Sequence, residues 1–493
     1  MFSQLFNFLQ NRKYIFFFLY LLLGLLSFSP YLGSFIGFIV FVPFFFYLYK
    51  EKNLKNILIV SFYAGGGFFL INSYWIYRFT VVGILLLTLY LTMYWLIYGL
   101  LFYYLKNKKY FLFYFPLIWT IFQILRGFSR FGYSWGEIGY SVSEFLHFSN
   151  VAAIGGVHLI TFILVVINLI LATYIYSGNK VYIKKGLIIF LITLVLGSFI
   201  YYLKTTKKSR SLNISVIQPS IDLFAKWDND FVDDVMEKYY NLAMKVDSDS
   251  NLVVWPETAF VNGVLNYHKD RDTIKNIIMD QKSNAFHMVG TTLRRNRNNY
   301  NSLFLIDKNG NYDYYSKIML VPFSEFLPFE KYTKFLMDIY PIQYLLSRGD
   351  KYKVFEMGDI KFSGIICFES IFPHFIDDFI QNGAQFLVVS TNDGWYIDTL
   401  APYQHLQFAR MRAIEQNRYF VQCANSGISA FINNRGVIYN KLGEKKQDIL
   451  EDKIYLINKK SIYFHIKDYY WIIISIIALA FYIKEYTQSA GRE

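Results

Sequence analysis

The chain has 493 residues, of which 54% are hydrophobic and 20% aromatic, far more apolar surface than one soluble core requires. Its mean hydropathy of +0.27 indicates a membrane protein. The formal net charge of +13 does not indicate nucleic-acid binding, because the Lys and Arg residues cluster at the ends of apolar runs, as membrane proteins place them. We therefore expect a lipid bilayer as a partner and no nucleic acid.

Residues 1–203 are predicted to form a membrane domain of about seven transmembrane helices, because their apolar runs approach spanning length. The runs cover 14–28, 33–49, 56–72, 81–104, 110–126, 151–177 and 186–203. The first run is not followed by a small-residue cleavage site, so we expect a retained span and not a removed signal peptide.

Basic residues in the short connections set the expected orientation. They cluster at 12–13, 50–55, 106–109 and 180–185, all on one side of the alternation, which should be the cytoplasm. The chain after residue 204 is then expected outside the cytoplasm, although further basic residues at 204–210 lie on that outer side. A large folded domain crosses a membrane largely regardless of such charges.

Residues 204–466 change to short apolar runs that alternate with polar helical stretches, which is typical of an α/β layer fold. Strands are predicted at 214–218, 252–255, 288–291, 302–306, 364–367, 386–390, 420–424 and 428–432, and helices at 231–246, 271–281, 372–381 and 403–417. This periodicity does not distinguish a four-layer sandwich from a doubly wound sheet. Residues 467–493 are predicted to form one more transmembrane helix, with an apolar core at 469–483, and a cytoplasmic tail.

Three residues carry candidate catalytic chemistry. Glu257 and Cys367 each end a short apolar run, and Lys317 immediately precedes another. A thiol needs a base to become a thiolate, and a thiolate that attacks a carbonyl needs a cation or donor where the oxyanion forms. Each residue alone has a plainer explanation, as a strand-end carboxylate, a core cysteine or a solvated lysine. Together they supply a base, a nucleophile and a cation.

The segments around these residues resemble the Glu-Lys-Cys triad of the nitrilase superfamily. The resemblance rests on Trp255-Pro256-Glu257, on Lys317 with Pro322-Phe323-Ser324-Glu325-Phe326-Leu327-Pro328, and on Cys367-Phe368-Glu369. With the predicted membrane helices, nearly the whole chain resembles the apolipoprotein N-acyltransferase family. This resemblance implies a multi-pass α-helical membrane domain joined to an α/β nitrilase-like αββα sandwich.

The resemblance also implies roles for the residues of the three segments. Glu257 would be the general base, Lys317 would stabilise the oxyanion, and Cys367 would carry the acyl group as a thioester. Glu325 and Glu369 would support them, and the backbone amide of Cys367 or Phe368 would complete the oxyanion hole. The family commonly has Tyr where Phe368 stands, so a hydroxyl role is absent there.

Three further residues are candidates for substrate binding. Trp227 and Trp395 match tryptophans that the family places near its active-site cleft, although packing without substrate contact explains them equally well. Arg126 ends an apolar span, where it could snorkel to the surface or hold a phospholipid phosphate; the family usually shows Glu where Gln123 stands. The apolar segment 326–346 is predicted to be a lid over the acyl chains.

Neither a metal nor a cofactor is predicted. The two cysteines, Cys367 and Cys423, are far apart in the sequence, and no HExxH or comparable His spacing indicates a zinc site. Cys423 lies in a predicted buried strand and is expected to fill the core. His405 is expected to be structural, because the triad already contains a base.

The resemblance implies an acyltransferase of lipoprotein maturation in the bacterial inner membrane, with its catalytic domain on the periplasmic side. A phospholipid, with phosphatidylethanolamine as the expected donor, would acylate Cys367. The acceptor would be the N-terminal amine of a diacylglyceryl-cysteine in an apolipoprotein. Without the resemblance, the residues indicate only that the reaction is acyl transfer or amide hydrolysis. A membrane-tethered nitrilase-type amidase is therefore the main alternative. A transporter or receptor with a degenerate nitrilase domain is a second, which the complete triad and the few charges within the spans argue against.

Overall fold

The computed structural model describes residues 13–30, 32–128, 131–204, 210–222, 225–227, 229–265, 267–333 and 345–490. Its longer helices are Lys13–Leu26, Val42–Lys50, Leu54–Asn72, Val81–Leu105, Phe111–Gly127, Ala152–Ser177, Lys180–Leu203, Val232–Ala243, His268–Asp280, Pro373–Gln381, Ala401–Gln416 and Tyr469–Ala490. Strands β1 to β12 are Ser211–Gln218, Leu252–Val254, Phe286–Arg295, Asn298–Ile306, Tyr312–Ser316, Phe355–Met357, Ile360–Ile366, Phe386–Thr391, Tyr419–Ala424, Ser429–Ile432, Ile438–Leu442 and Asp448–Tyr455.

The strands form two six-stranded sheets, in the orders β12-β1-β2-β3-β4-β5 and β11-β10-β9-β8-β7-β6. The central strands of each sheet are parallel, β1 to β3 in one and β7 to β9 in the other. Parallel strands are covered on both faces, which explains why these segments are nearly continuous apolar runs. In β2, Val253 packs against helices and Val254 against the opposite sheet, and both are fully buried.

The two sheets pack face to face, and a pair of helices covers each outer face. Val232–Ala243 and His268–Asp280 pack on the first sheet through residues such as Tyr239 and Ile274. Pro373–Gln381 and Ala401–Gln416 cover the second sheet. The αββα sandwich is therefore confirmed, and the doubly wound sheet is excluded.

The predicted strands all exist, but the prediction missed β5, β6, β11 and β12. These four strands are the edges of the two sheets. Edge strands bury less of their surface and carry polar residues; β11, for example, alternates between half-buried and exposed positions without one buried residue. Their sequences therefore lack the apolar run on which the strand prediction depends.

Four helices within the described ranges are long and apolar enough to cross a membrane: Leu54–Asn72, Val81–Leu105, Ala152–Ser177 and Lys180–Leu203. Phe16–Leu26 and Phe111–Gly127 are shorter apolar helices. Glycines let the helices Leu54–Asn72 and Val81–Leu105 approach each other closely. A Cβ on Gly65 would lie 2.5 Å from Trp95, and one on Gly99 would lie 2.2 Å from Ser61 Oγ. Several long apolar helices thus agree with the predicted membrane domain.

The segment predicted as one span at 33–49 is broken into two helices, Gly33–Ile36 and Val42–Lys50. Asn168, buried in the neighbouring helix, donates to the Gly37 carbonyl at 2.9 Å and accepts from the Phe41 amide at 2.8 Å. These two bonds satisfy backbone groups at the break, which an apolar surrounding would otherwise leave unpaired. The hydropathy of 33–49 gave no sign of the break, because the compensating side chain lies elsewhere in the chain.

The helix Ala401–Gln416 connects the sandwich to the membrane domain. Gln404 Oε1 accepts a hydrogen bond from Trp135 Nε1 at 2.6 Å. Glu415 Oε1 accepts from the Val157 amide at 2.7 Å, directly after Gly155 and Gly156 interrupt the helix Ala152–Ser177. The Val157 amide, which that interruption frees, is therefore bonded by the sandwich.

We expect Gly364→Ala to destabilise the sandwich without changing its chemistry. A Cβ on Gly364 would lie 1.8 Å from Met288 Cε and 2.6 Å from Leu303 Cδ1, on the facing sheet. Overpacking of this kind costs about 1–3 kcal/mol of unfolding free energy, measurable as a lower thermal midpoint in detergent. Gly443→Ala is the control, because nothing lies within 4 Å of its added Cβ. Equal midpoints for the two variants would contradict the close approach of the sheets.

Candidate active site

Glu257, Lys317 and Cys367 come together where strands from both sheets end. Glu257 follows β2, Lys317 follows β5 at the other edge of the same sheet, and Cys367 follows β7 in the facing sheet. Ser390 Oγ donates to the Trp255 carbonyl at 3.1 Å, which ties the two sheets together beside the site. The face-to-face packing of the sheets therefore assembles residues that lie 50 to 110 positions apart in the sequence.

The carboxylate of Glu257 is buried and held at both oxygens. Oε1 accepts from Asn301 Nδ2 at 2.7 Å, and Oε2 accepts from the backbone amide of Asn392 at 2.8 Å. Its backbone carbonyl accepts from the buried Lys226 Nζ at 2.9 Å. Glu257 is therefore not an exposed strand-end carboxylate.

Lys317 lies between two carboxylates and is only 1% exposed. Its Nζ is 2.7 Å from Glu325 Oε1 and 3.6 Å from Glu257 Oε1. Burial by itself lowers the pKa of Lys317, but the negative charges of Glu325 and Glu257 outweigh it and hold the pKa well above the usual lysine value. The side chain is thus a buried lysine paired with two carboxylates, which favour its charged form, and not a solvated lysine.

Cys367 has a left-handed backbone conformation, with φ of +49°, which costs an L-residue about 1–2 kcal/mol. It begins a short 3-10 turn, Cys367–Ile371, and its thiol is free and partly exposed. Burial, followed by the charge of Glu257, raises the pKa of Cys367, while Lys317 opposes this effect. The resting group is a thiol, so that a nucleophilic role requires a base.

Glu369 joins the backbone on both sides of the site. Its Oε1 accepts from Tyr315 Oη at 2.7 Å and from the amides of Ile318 and Met319 at 2.7 and 3.0 Å. Its Oε2 accepts from the amide of Ile366 at 2.8 Å. Burial raises the pKa of Glu369 to about 7, although these hydrogen bonds oppose the rise. Glu369 therefore fixes the chain after Lys317 against the strand before Cys367.

Glu325 and Phe368 also lie beside the triad. Glu325 Oε2 accepts from the Val321 amide at 2.8 Å, so that its other oxygen is directed to Lys317. The Phe368 ring is 9% exposed and packs edge-on against Phe372, with ring centroids 5.1 Å apart.

The residues proposed for substrate binding have diverse surroundings. The Trp395 side chain is 42% exposed, and its ring lies 5.4 Å from that of Phe79. Trp227 ends a short turn, and its side chain lies outside the described residues. Arg126 is buried and donates to Gln123 Oε1 and to the Trp135 carbonyl. A lipid phosphate would have to displace one of those partners, so its headgroup role stays a prediction.

Two other expectations concern the surroundings of the site. Cys423 is fully buried, with its Sγ 3.5 Å from the carbonyls of Ile217 and Val254, which confirms it as core. Of the predicted lid, residues 334–344 lie outside the described ranges. Phe329, before that gap, is 67% exposed and stacks on Phe131 of the membrane domain at 5.5 Å.

Sequence reasoning missed several residues that touch the triad. Tyr396 Oη is 3.9 Å from Cys367 Sγ, and Asn301 and Asn392 hold Glu257. Asn392 and Asp393 directly follow β8, so the pattern of a polar residue after an apolar strand could have identified them. Asn301 lies inside β4 and carries no such signal.

Comparison with known protein families divides the chain into the same two parts, an N-terminal helical domain and a C-terminal sandwich. Residues 22–170 match the family described as apolipoprotein N-acyltransferase N-terminal domain, and residues 213–457 match the carbon-nitrogen hydrolase family. A nitrilase-superfamily structure from Saccharomyces cerevisiae is 18% identical, with a TM-score of 0.39, and covers 50% of this chain and 90% of its own.

Two relatives cover almost the whole chain. An apolipoprotein N-acyltransferase of Treponema denticola is 27% identical over 95% of this chain and 97% of its own length. That of Wigglesworthia glossinidia brevipalpis is 30% identical over 88% of this chain and 90% of its own length. Since both halves of the fold and nearly the full length of these relatives are matched, the chain belongs to the apolipoprotein N-acyltransferase family.

Proposed function

We propose that the chain transfers an acyl group from a phospholipid to the N-terminal amine of a lipoprotein precursor, through a thioester on Cys367. The observation that supports this most is the contact of Lys317 with Glu257 and Glu325 beside the free thiol of Cys367. This arrangement offers a base, a fixed cation and a nucleophile within one partly closed site.

In the first half-reaction, Glu257 removes the Cys367 proton as Sγ attacks an ester carbonyl of the phospholipid. The negative charge that develops on the carbonyl oxygen is stabilised by the Lys317 ammonium. The tetrahedral intermediate collapses, the carbon–oxygen ester bond breaks, and the departing alkoxide takes the proton from Glu257. A lysophospholipid leaves, and the acyl group stays on Cys367 as a thioester.

In the second half-reaction, the free amine of a diacylglyceryl-cysteine attacks the thioester carbonyl. Glu257 accepts the amine proton, the carbon–sulfur bond breaks, and the thiolate regains its proton. The product is an N-acylated lipoprotein. One nucleophile that serves two successive substrates predicts ping-pong kinetics.

The position of the thiol supports lipid substrates. Tyr396, which lies 3.9 Å from Cys367 Sγ, packs against Trp75 with ring centroids 5.0 Å apart. Trp75 follows the apolar helix Leu54–Asn72, so the site faces the membrane domain. Substrates that enter sideways from a bilayer would keep their acyl chains out of water.

The membrane segments at both ends give the catalytic domain its proposed location. Segments 1–203 and 467–493 would anchor the catalytic domain 204–466 on the periplasmic face of the inner membrane. Phosphatidylethanolamine is the proposed donor, and a diacylglyceryl apolipoprotein is the proposed acceptor. A hydrolase with the same triad is the alternative outcome of the following test.

Incubation of the purified protein with defined phosphatidylethanolamine should add one acyl mass, because the thioester on Cys367 persists until an acceptor amine attacks it. Intact-protein mass spectrometry should show an adduct that hydroxylamine removes, and a diacylglyceryl-cysteine peptide should convert it to an N-acyl product. Cys367→Ser should carry no such adduct, and Cys423→Ser is the matched control that should retain it. Release of free fatty acid at a rate independent of the peptide would favour the hydrolase.

Lys317→Met should slow thioester formation about 100- to 1,000-fold, the usual effect of losing an oxyanion-stabilising group. The rate would be followed by rapid quenching and mass spectrometry with saturating phospholipid. Lys275→Met removes an exposed lysine of the helix His268–Asp280 and should leave the rate unchanged. A Lys317→Met enzyme with the wild-type rate would remove Lys317 from the mechanism.

Glu369→Gln should slow thioester formation, although it replaces only one carboxylate oxygen with an NH2 group. Both carboxylate oxygens accept hydrogen bonds, so the new NH2 group must face a donor. We expect a loss of thioester formation of at least about 10-fold, since an unsatisfied buried donor costs about 1–3 kcal/mol. Glu237→Gln, on the exposed face of the helix Val232–Ala243, is the control. Unchanged kinetics in both variants would show that Glu369 does not position the site.

A further inference from the structure

A buried histidine–aspartate pair lies directly behind the proposed nucleophile. His405 Nδ1 is 3.0 Å from Asp393 Oδ1, and His405 Nε2 is 3.1 Å from the carbonyl oxygen of Cys367. Both side chains are fully buried. Ser370 Oγ donates to the same Cys367 oxygen at 3.0 Å. The histidine from the helix Ala401–Gln416 and the carboxylate after β8 therefore meet at the backbone of the reactive residue.

His405 Nδ1 faces the Asp393 carboxylate, and Nε2 faces both Ser370 Oγ at 2.9 Å and the Cys367 carbonyl at 3.1 Å. A neutral imidazole that donates from Nδ1 would accept the Ser370 hydroxyl at Nε2, and its lone pair would then face the Cys367 carbonyl oxygen as well. An imidazolium donates from both nitrogens and leaves the Ser370 hydroxyl to bond the Cys367 carbonyl. Burial by itself lowers the pKa of His405, but the charge of Asp393 and the hydrogen bonds raise it above the usual histidine value. The charge of Glu257 acts on His405 in the same direction.

The carbonyl that accepts from His405 belongs to the same peptide unit as the N–H of Phe368. A cationic donor on the oxygen polarises the unit and makes its N–H a stronger donor, because linked hydrogen bonds reinforce one another. In hydrolases with a strained turn at the nucleophile, the amide after the nucleophile contributes to the oxyanion hole. Cys367, with φ of +49°, has such a turn.

We propose that His405, held as an imidazolium by Asp393, is a positioning residue that fixes the Cys367–Phe368 peptide and polarises its N–H toward the oxyanion formed during acylation. This inference rests on the proposed role of Cys367 as the nucleophile. His405 keeps both of its protons throughout, and Glu257 remains the base. His405, which the sequence indicated as structural, would thus contribute to stabilising the oxyanion.

Two reactions of the same thiol separate this role from a purely structural one. Acylation by p-nitrophenyl butyrate passes through a tetrahedral oxyanion and releases a burst of p-nitrophenolate. Alkylation by iodoacetamide forms a carbon–sulfur bond and releases iodide without an oxyanion. The ester acylates an acyltransferase and a hydrolase alike, so a failure of the lipid reaction would not be mistaken for a failure of this inference.

His405→Gln keeps an amide donor near the Nε2 position but removes the charge, and His405→Phe removes both. We expect the acylation burst to slow by about 10- to 100-fold in His405→Phe and by less in His405→Gln. This loss is smaller than the about 100- to 1,000-fold effect of removing an oxyanion donor itself, because His405 acts through the Cys367–Phe368 peptide. Iodoacetamide should alkylate both variants within about threefold of the wild-type rate. Alkylation forms no oxyanion, so an interaction made only in the acylation transition state does not affect it.

His287→Gln is the matched control. His287 is equally buried but accepts at Nδ1 from Trp255 Nε1 at 3.2 Å, and burial lowers its pKa to about 3, so it is neutral. Both reactions of this variant should proceed at the wild-type rate. Equal losses of acylation and alkylation in the His405 variants, or no loss in either reaction, would overturn the proposal.

Asp393→Asn tests the charge of His405 with the imidazole in place. Without the carboxylate, burial should depress the pKa of His405, so the ring would be neutral at roughly pH 8 and regain its proton toward roughly pH 5.5. The acylation rate of the variant divided by that of the wild type should therefore rise as the pH falls. A ratio that stays constant across this range would overturn the proposal.

Discussion

The charge of Lys317 is the feature on which the rest of the site depends. A buried ammonium without partners would lose its proton, but Glu325 and Glu257 lie 2.7 and 3.6 Å from it. Those carboxylates are oriented in turn by Asn301 and by the amides of Asn392 and Val321. Removing one partner of such a buried pair costs about 3–5 kcal/mol, so the groups around Lys317 must be kept together.

The site also depends on how the sandwich meets the membrane domain. Tyr396 contacts the Cys367 sulfur on one side and Trp75 on the other. The helix Ala401–Gln416 places His405 against the Cys367 carbonyl and bonds the membrane domain through Gln404 and Glu415. One helix therefore links the backbone of Cys367 to the membrane helices, which suits an enzyme whose substrates are lipids.

Most of the sandwich and the three central residues of the site could be predicted from the sequence. Strands buried on both faces appear as apolar runs, and Glu257 and Cys367 each follow one of them. The four edge strands were missed because partial exposure permits polar residues. Asn301 was missed because an amide within an ordinary strand has no local signature of its function.

Local composition and periodicity by themselves predicted a membrane segment and an α/β domain, since both reflect which stretches must be buried. The Glu-Lys-Cys set was predicted from residues beside apolar runs together with their resemblance to a known family. The packing of the folded chain decided that the sheets face each other, that the segment 33–49 is broken, and that His405 lies between the Asp393 carboxylate and the Cys367 carbonyl. Each of these outcomes depends on a partner distant in sequence. Asn168 is 127 residues from the amide of Phe41 that it accepts from, and His405 is 38 residues from the Cys367 carbonyl. No short window of sequence contains both members of such a pair, so only the three-dimensional arrangement could reveal them.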